Sequence, residues 1–275
     1  MHEQLRDLVD GVRLTPTQRR IAQCLFEHAG KAAYLSAAEV ADLASVSQPS
    51  VTRFAIALGY DGYPALRRAL RTTVPSTPGG ENDLQLAVRA EAANLDRLAD
   101  QLADGGPSRA AVDKAAALLA ASRPLPVVGL RAAAPLAGYF GYFAAKVLPE
   151  VRVLDNGGSL LADRLEQARA AGATAMLGIV LPRYPKEALD ALREARAAGL
   201  AVVVLTDSPV SPVSEIADVT LCAGVGTRLV FDLHAAPMAL SMALLQAVCD
   251  AVPGEAQARL EEFETSAARR GVFAT

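Results

Sequence analysis

Apolar residues recur along this chain with two periods. In the first 121 residues they stand three or four apart, the spacing that gives a helix one apolar face. Thr15-Pro16-Thr17-Gln18 opens the first helix: threonine caps, proline takes the first helical position and Gln18 closes a capping box. Ile21, Cys24, Leu25 and His28 follow at helical spacing, and Gly30 ends the segment. Ser36, with Glu39 three residues on, opens a second helix faced by Val40, Leu43 and Ala44. Ser47 caps a third, which Gly59 closes, and 63–70 reads as a fourth. A long helix over 84–103 carries Leu84, Val88, Leu95, Leu98 and Leu102 as its stripe, and another helix covers 108–121. From Leu125 the period changes. LPVVGL, VRVLDN, ATAMLGIVL, LAVVVLTDS and ADVTLCAG are five short apolar runs separated by helical segments. Continuous apolar runs alternating with helices predict strands buried on both faces, hence a five-stranded parallel α/β sheet flanked by helices. Helices at about 233–251 and 254–269 close the chain.

The stretch TTVPSTPGGEN, from Thr72, concentrates Pro, Gly, Ser and Thr, the composition of a linker. The expected organisation is an all-α helix-turn-helix domain over 1–72, a linker over 73–83 and an α/β domain over 84–275. Hydrophobic residues are 52% and charged residues 21% of the chain, which excludes a wholly disordered protein. Three widely separated cysteines, Cys24, Cys222 and Cys249, exclude a disulfide scaffold and a cysteine zinc site and suit a reducing cytoplasm. No run reaches the ~20 apolar residues of a membrane span, and the N-terminus lacks the order of a signal peptide. No membrane, metal or cofactor is therefore expected. Residues 1–75 carry a net charge of +2 and the remainder −5, which permits a nucleic-acid module at the front and argues against a nonspecific polyanion binder.

Residues 37–56 fit a helix-turn-helix. Two helices meeting at a steep angle need apolar contacts at Val40 and Ala44, a small residue at Ala41 where they touch, Val46 in the turn, and Val51 and Phe54 beneath the second helix. With Val51, Phe54, Ala55 and Leu58 turned inward, the opposite face presents Ser47, Gln48, Ser50, Thr52 and Arg53 to duplex DNA. Arginine reads guanine bidentately, glutamine reads adenine, and short hydroxyls suit phosphates or base edges. Ser45 takes the turn position where glycine is usual, at a cost of ~1–2 kcal/mol for a left-handed backbone. Arg19, Arg20, Arg67, Arg68 and Arg71 are candidates for backbone phosphates or for a solvated surface.

In an open parallel sheet, ligands sit beyond the carboxyl ends of the strands, near the point where strand order reverses. Three loops fall there. The first, after strand one, holds Gly129 and Arg131; the second, after strand three, holds Arg183, Tyr184, Lys186 and Glu187; the third, after strand four, holds Ser208 and Ser211. Arg131 and Arg183 form a candidate anion pocket, because arginine grips carboxylate or phosphate bidentately. Tyr184, Ser208 and Ser211 are candidate ligand contacts, with loop packing and turn capping as their alternatives.

The segments LTPTQRRIAQCLFEH and LSAAEVADLASVSQPSVTRFAIALGYDGYPALRRAL, together with LREARAAGLAVVVLTDSPVSPVSEIADVTL over 192–221, resemble the RpiR/MurR family of bacterial transcription regulators. In that family a helix-turn-helix domain precedes a sugar-isomerase-type (SIS) domain. The resemblance covers nearly the whole chain. It implies a cytoplasmic homodimer or homotetramer that binds double-stranded operator DNA and responds to a phosphosugar in the SIS domain. The family's first loop reads G-x-G-x-S; here Gly129 keeps the first glycine, Arg131 replaces the second and Ala133 replaces the serine. Its second loop reads S-x-S-G-x-T; here Val180, Pro182, Arg183 and Pro185 stand in those places. Three outcomes are open: a different anion such as a sugar acid, a phosphate held by Arg131 and Arg183, or loss of ligand binding.

The rival expectation is a phosphosugar isomerase carrying a helical accessory domain. Isomerisation needs a base near the substrate carbons. His2 is terminal, His28 lies at a helix end in the front part, and His234 starts a late helix. No base pairs with a phosphate grip, so no catalytic residue is assigned and a regulator, not an enzyme, is expected.

Overall fold

The structure, a computed structural model, describes residues 14–28, 35–72 and 81–274. The chain divides into two compact units, Met1–Ala87 with Thr227–Phe231, and Val88–Gly226 with Asp232–Thr275.

Described residues of the first unit form α1 (Pro16–Glu27), α2 (Ala37–Leu43), α3 (Gln48–Ala57) and α4 (Tyr63–Thr72). Both expected capping boxes are present: Gln18 N donates to Thr15 Oγ1 at 3.4 Å, and Glu39 N to Ser36 Oγ at 3.2 Å. The expected end of α1 at Gly30 and the 73–80 part of the linker lie outside the described residues. At α3 the expectation needs correction. Ser47 has the extended backbone of an N-cap, but its hydroxyl makes no capping bond to the backbone. Of the two donors such a cap would take, Pro49 has no N–H, and Ser50 N donates instead to the Ser47 carbonyl at 2.8 Å.

The core of this unit joins Ile21 and Leu25, Val40 and Ala41, Val51, Phe54 and Ala55, and Leu66 and Leu70. Tyr63 closes it, donating its hydroxyl to Leu35 O at 3.0 Å, and burial pushes that phenol well above its ordinary pKa. Between α2 and α3 the chain makes a Schellman turn. Val46 N donates to Ala41 O at 2.8 Å, Ser45 N donates to Asp42 O at 3.1 Å, and Ser45 lies at φ 52°. Ser45→Gly relieves ~1–2 kcal/mol of left-handed cost and gives back ~0.5–1 kcal/mol of chain entropy. We expect a net gain of about 0.5–1 kcal/mol in the urea unfolding of this unit.

The second unit takes in most of α5 (Asp83–Leu102), then α6 (Arg109–Ala121), β1 (Leu125–Gly129), α7 (Ala134–Val147), β2 (Val151–Leu154), α8 (Ser159–Ala170), β3 (Ala175–Ile179), α9 (Lys186–Ala197), β4 (Ala201–Thr206), β5 (Val219–Cys222), α10 (Ala235–Ala251) and α11 (Pro253–Arg270). The five strands are all parallel, in the order β2-β1-β3-β4-β5. Alternate strand residues face opposite layers. Leu177, Ile179, Val203 and Leu205 pack with α6, α7 and α10, while Met176, Val202 and Val204 pack with α8 and α9. Burial on both sides explains why these runs are apolar throughout.

The expected stripe of α5 is also corrected. Leu84, Val88 and Leu95 are exposed, and the buried side of the helix is Ala87, Glu91, Asn94 and Leu98. The Glu91 carboxylate sets this rotation: its Oε1 accepts from Ala235 N at 2.8 Å and Ala236 N at 3.1 Å, at the N-terminus of α10. Among the described residues no single helix is long and apolar enough to cross a membrane.

Candidate functional site

In the first unit, α3 buries Val51, Phe54 and Ala55 and turns its other side outward. Ser47, Gln48 and Arg53 are exposed; Ser50 and Thr52 are half-buried. The Ser47 and Ser50 hydroxyls lie 2.9 Å apart, and Arg53 Nη2 donates to Ser50 Oγ at 3.2 Å. Residues three apart on a helix are neighbours, so these bonds line up hydroxyl, hydroxyl and guanidinium along one face. That is a preorganised set of hydrogen-bonding groups on a rigid helix, suited to the major groove. Arg19, Arg20 and Arg68 are exposed, and Arg67 is half-buried.

In the second unit the chain reverses direction across the sheet between β1 and β3, and the loops after these two strands lie at the carboxyl ends, where an open parallel sheet would bind a ligand. Gly129 ends β1. A Cβ there would lie 2.6 Å from Ala137 Cβ and 2.8 Å from Ala133 O, so glycine is required for the tight turn into α7. Arg131 follows at φ 56°, exposed, holding a left-handed backbone where glycine would be unstrained. Arg183, on the neighbouring loop, is exposed as well. Glu187, in the first turn of α9, reaches back to accept from Gly158 N at 3.3 Å and ties down the loop after β2.

Tyr184 and the two serines are placed differently from one another. Tyr184 donates its hydroxyl to Asp207 Oδ1 at 2.7 Å, tying the loop after β3 to the loop after β4; burial and that carboxylate raise its pKa. Ser208 Oγ accepts from Val210 N at 3.3 Å, and the buried Ser211 hydroxyl sits 3.3 Å from Thr206 Oγ1 and 2.9 Å from Ser214 Oγ. Both serines therefore hold the turn after β4.

Sequence reasoning missed a polar cavity of about 200 Å³ at the carboxyl ends of β4 and β5. Asn94, Arg97 and Gln101 of α5 line one wall, and Asp207, Cys222 and Gly224 line the other. The spacing 94, 97, 101 puts three polar groups on one helix side, which is the only sequence signal for it. Gly224 makes the approach possible, since a Cβ there would lie 2.9 Å from Asn94 Oδ1. Burial, reinforced by Asp207, raises the Cys222 thiol pKa, so the sulfur on this wall is an uncharged thiol. A second hollow of about 270 Å³, between α8 and α9, lies beside Leu200 at the amino end of β4, away from the ligand end. Among the described residues no group of three or more potential metal ligands occurs.

The described residues thus combine a helix-turn-helix with a doubly wound parallel sheet. Residues 2–76 match the helix-turn-helix domain of the rpiR family. Over 65 residues the chain is 40% identical to the uncharacterised HTH-type transcriptional regulator YfhH of Escherichia coli (strain K12); the match covers 24% of this chain and 23% of that protein. The α/β part shares the fold of the sugar isomerase domain of an RpiR transcription factor from Sphaerobacter thermophilus, at 26% identity and TM-score 0.58, over 66% of this chain and 97% of that one. The Vibrio vulnificus NanR protein, solved with ManNAc-6P, has the same fold across 100% of this chain and 99% of its own, at 17% identity and TM-score 0.63.

Proposed function

We propose that this protein is a cytoplasmic transcription regulator whose α/β unit senses a small anionic sugar derivative and alters operator binding. The observation that carries the reading is the outward face of α3, where Ser47, Ser50 and Arg53 are joined by hydrogen bonds on a helix of the rpiR family. Gln48 and Thr52 complete the DNA-reading set. The protein acts as a homodimer or homotetramer, so its operator is roughly palindromic, with half-site centres ~34 Å apart or a multiple of that. In the effector crevice, Gly129 shapes the first loop, while Arg131 and Arg183 take the anion. Tyr184 contributes through Asp207, and Ser208 and Ser211 hold the adjoining turn.

Arg53→Ala is expected to weaken binding to a duplex selected by the wild-type protein by ~1–3 kcal/mol, about five- to 150-fold. A gel-shift titration checks this, and unchanged affinity and sequence preference would remove Arg53 from the reading set. The protein is not an enzyme in this reading. The isomerase alternative draws on one observation, that His234 Nε2 is buried without a hydrogen-bond partner in the structure. Turnover of a sugar phosphate that is lost in His234→Asn would favour it.

A further inference from the structure

We propose that the cavity between α5 and the ends of β4 and β5 binds a sugar acid, a hydroxylated monocarboxylate of about three to six carbons, as a site separate from the Arg131 and Arg183 loops. Size sets the first limit. A cavity of about 200 Å³ has room for a short polyol chain.

Charge sets the second limit. The cavity is lined by one cation, Arg97, and one anion, Asp207. Arg97 donates to Asn94 Oδ1 from Nη2, and among the described residues it pairs with no carboxylate. Its remaining guanidinium donors match a carboxylate in the bidentate manner. A phosphate dianion would bring a charge of ~−1.5 to −2 into a space that already holds Asp207, with a single guanidinium to meet it, so a monoanion is the better match. Hydrogen-bond direction sets the third. Both hydrogen bonds to Asp207, from Tyr184 and Thr206, fall on Oδ1. Oδ2 is left to accept from a ligand hydroxyl, and the Gln101 amide adds a donor and an acceptor. The wall is rigid, because Glu91 bonds both α10 and Asn94 Nδ2, the latter at 2.8 Å.

The proposal does not rest on the operator reading, and its test contains no DNA. Calorimetric titration of the full chain uses D-glycerate and D-gluconate as probes, with ribose 5-phosphate as the comparison arm. Saturable binding of at least one acid is expected. Arg97→Gln, at an exposed position, and Asp207→Asn, of unchanged shape, should each weaken it about tenfold or more. The Arg131→Ala, Arg183→Ala double variant should retain it. Failure of both acids to bind, binding of the phosphate alone, binding unchanged by either cavity substitution, or loss of binding in the double variant each overturns the proposal.

Discussion

Replacing Phe54 by alanine is expected to unfold the first unit and, with it, to abolish sequence-specific DNA binding. Phe54 is 1% exposed and packs in the core formed by all four helices of this unit. Phe→Ala in a core costs ~3–5 kcal/mol, the lost transfer energy plus the cavity left behind. A unit this small has a limited core, with total stability near the lower end of the ~5–15 kcal/mol usual for domains. The substitution therefore removes most of what holds α3 against α2. Ile56, two residues on and 57% exposed, is the internal control: Ile56→Ala should change stability by ~0.5 kcal/mol or less. Circular dichroism melts check both. The Phe54 variant should lose the transition of the first unit and keep that of the α/β unit, whose cores contain none of its neighbours. A Phe54→Ala protein with an unchanged melt and unchanged DNA affinity would contradict this account of the helix-turn-helix.

The elements legible in the sequence are those fixed by local chemistry. Thr15 and Ser36 announce their helices because each capping box closes within four residues. The sheet is legible because its central strands β1, β3 and β4 are buried on both faces and their runs are apolar almost throughout. Arg131 is an instructive case. The resemblance assigns its position to glycine, and the structure gives it the left-handed backbone glycine would have, so the loop kept its path while gaining a charge. Ser47 misled because Pro49 offers no N–H and the remaining donor, Ser50 N, bonds the Ser47 carbonyl while the Ser47 hydroxyl faces Ser50 Oγ. The buried side of α5 was legible only at its C-terminal end, where Leu98 and Leu102 of the expected stripe do pack on the core. Counting apolar residues favours Leu84, Val88 and Leu95, whereas the contact that decides the rotation links Glu91 to residues 144 and 145 positions away. Asn94, Arg97 and Gln101 are hidden for the same reason: polar residues on an amphipathic helix look solvated until the partner strand end is known. Gly224 and Gly226 show the other half of that contact only in three dimensions, for a Cβ at Gly226 would stand 2.6 Å from Glu91 Oε2.

Glu91→Ala should therefore be the most damaging polar substitution in the α/β unit. The side chain is 5% exposed and serves as the N-terminal cap that α10 does not supply locally, since His234 makes no capping bond of its own. Helix N-termini leave backbone donors unpaired and favour negative charge, so one carboxylate answers both needs at Ala235 and Ala236. Its removal leaves those donors and Asn94 Nδ2 without their partner, at a cost of ~2–4 kcal/mol. Glu91→Gln keeps an acceptor for α10 but presents its amide to Asn94 Nδ2 as a second donor, so an intermediate loss is expected. Urea unfolding of the full chain measures the ordering, wild type above Gln above Ala. Amide exchange adds a local readout: protection at Ala235 and Ala236 should fall in the alanine variant even under conditions where the sheet amides stay protected. Equal stability of all three proteins would mean that the α5 contact follows the fold of the α/β unit without stabilising it. The cavity wall argued from Asn94 and Arg97 would then lose its anchor.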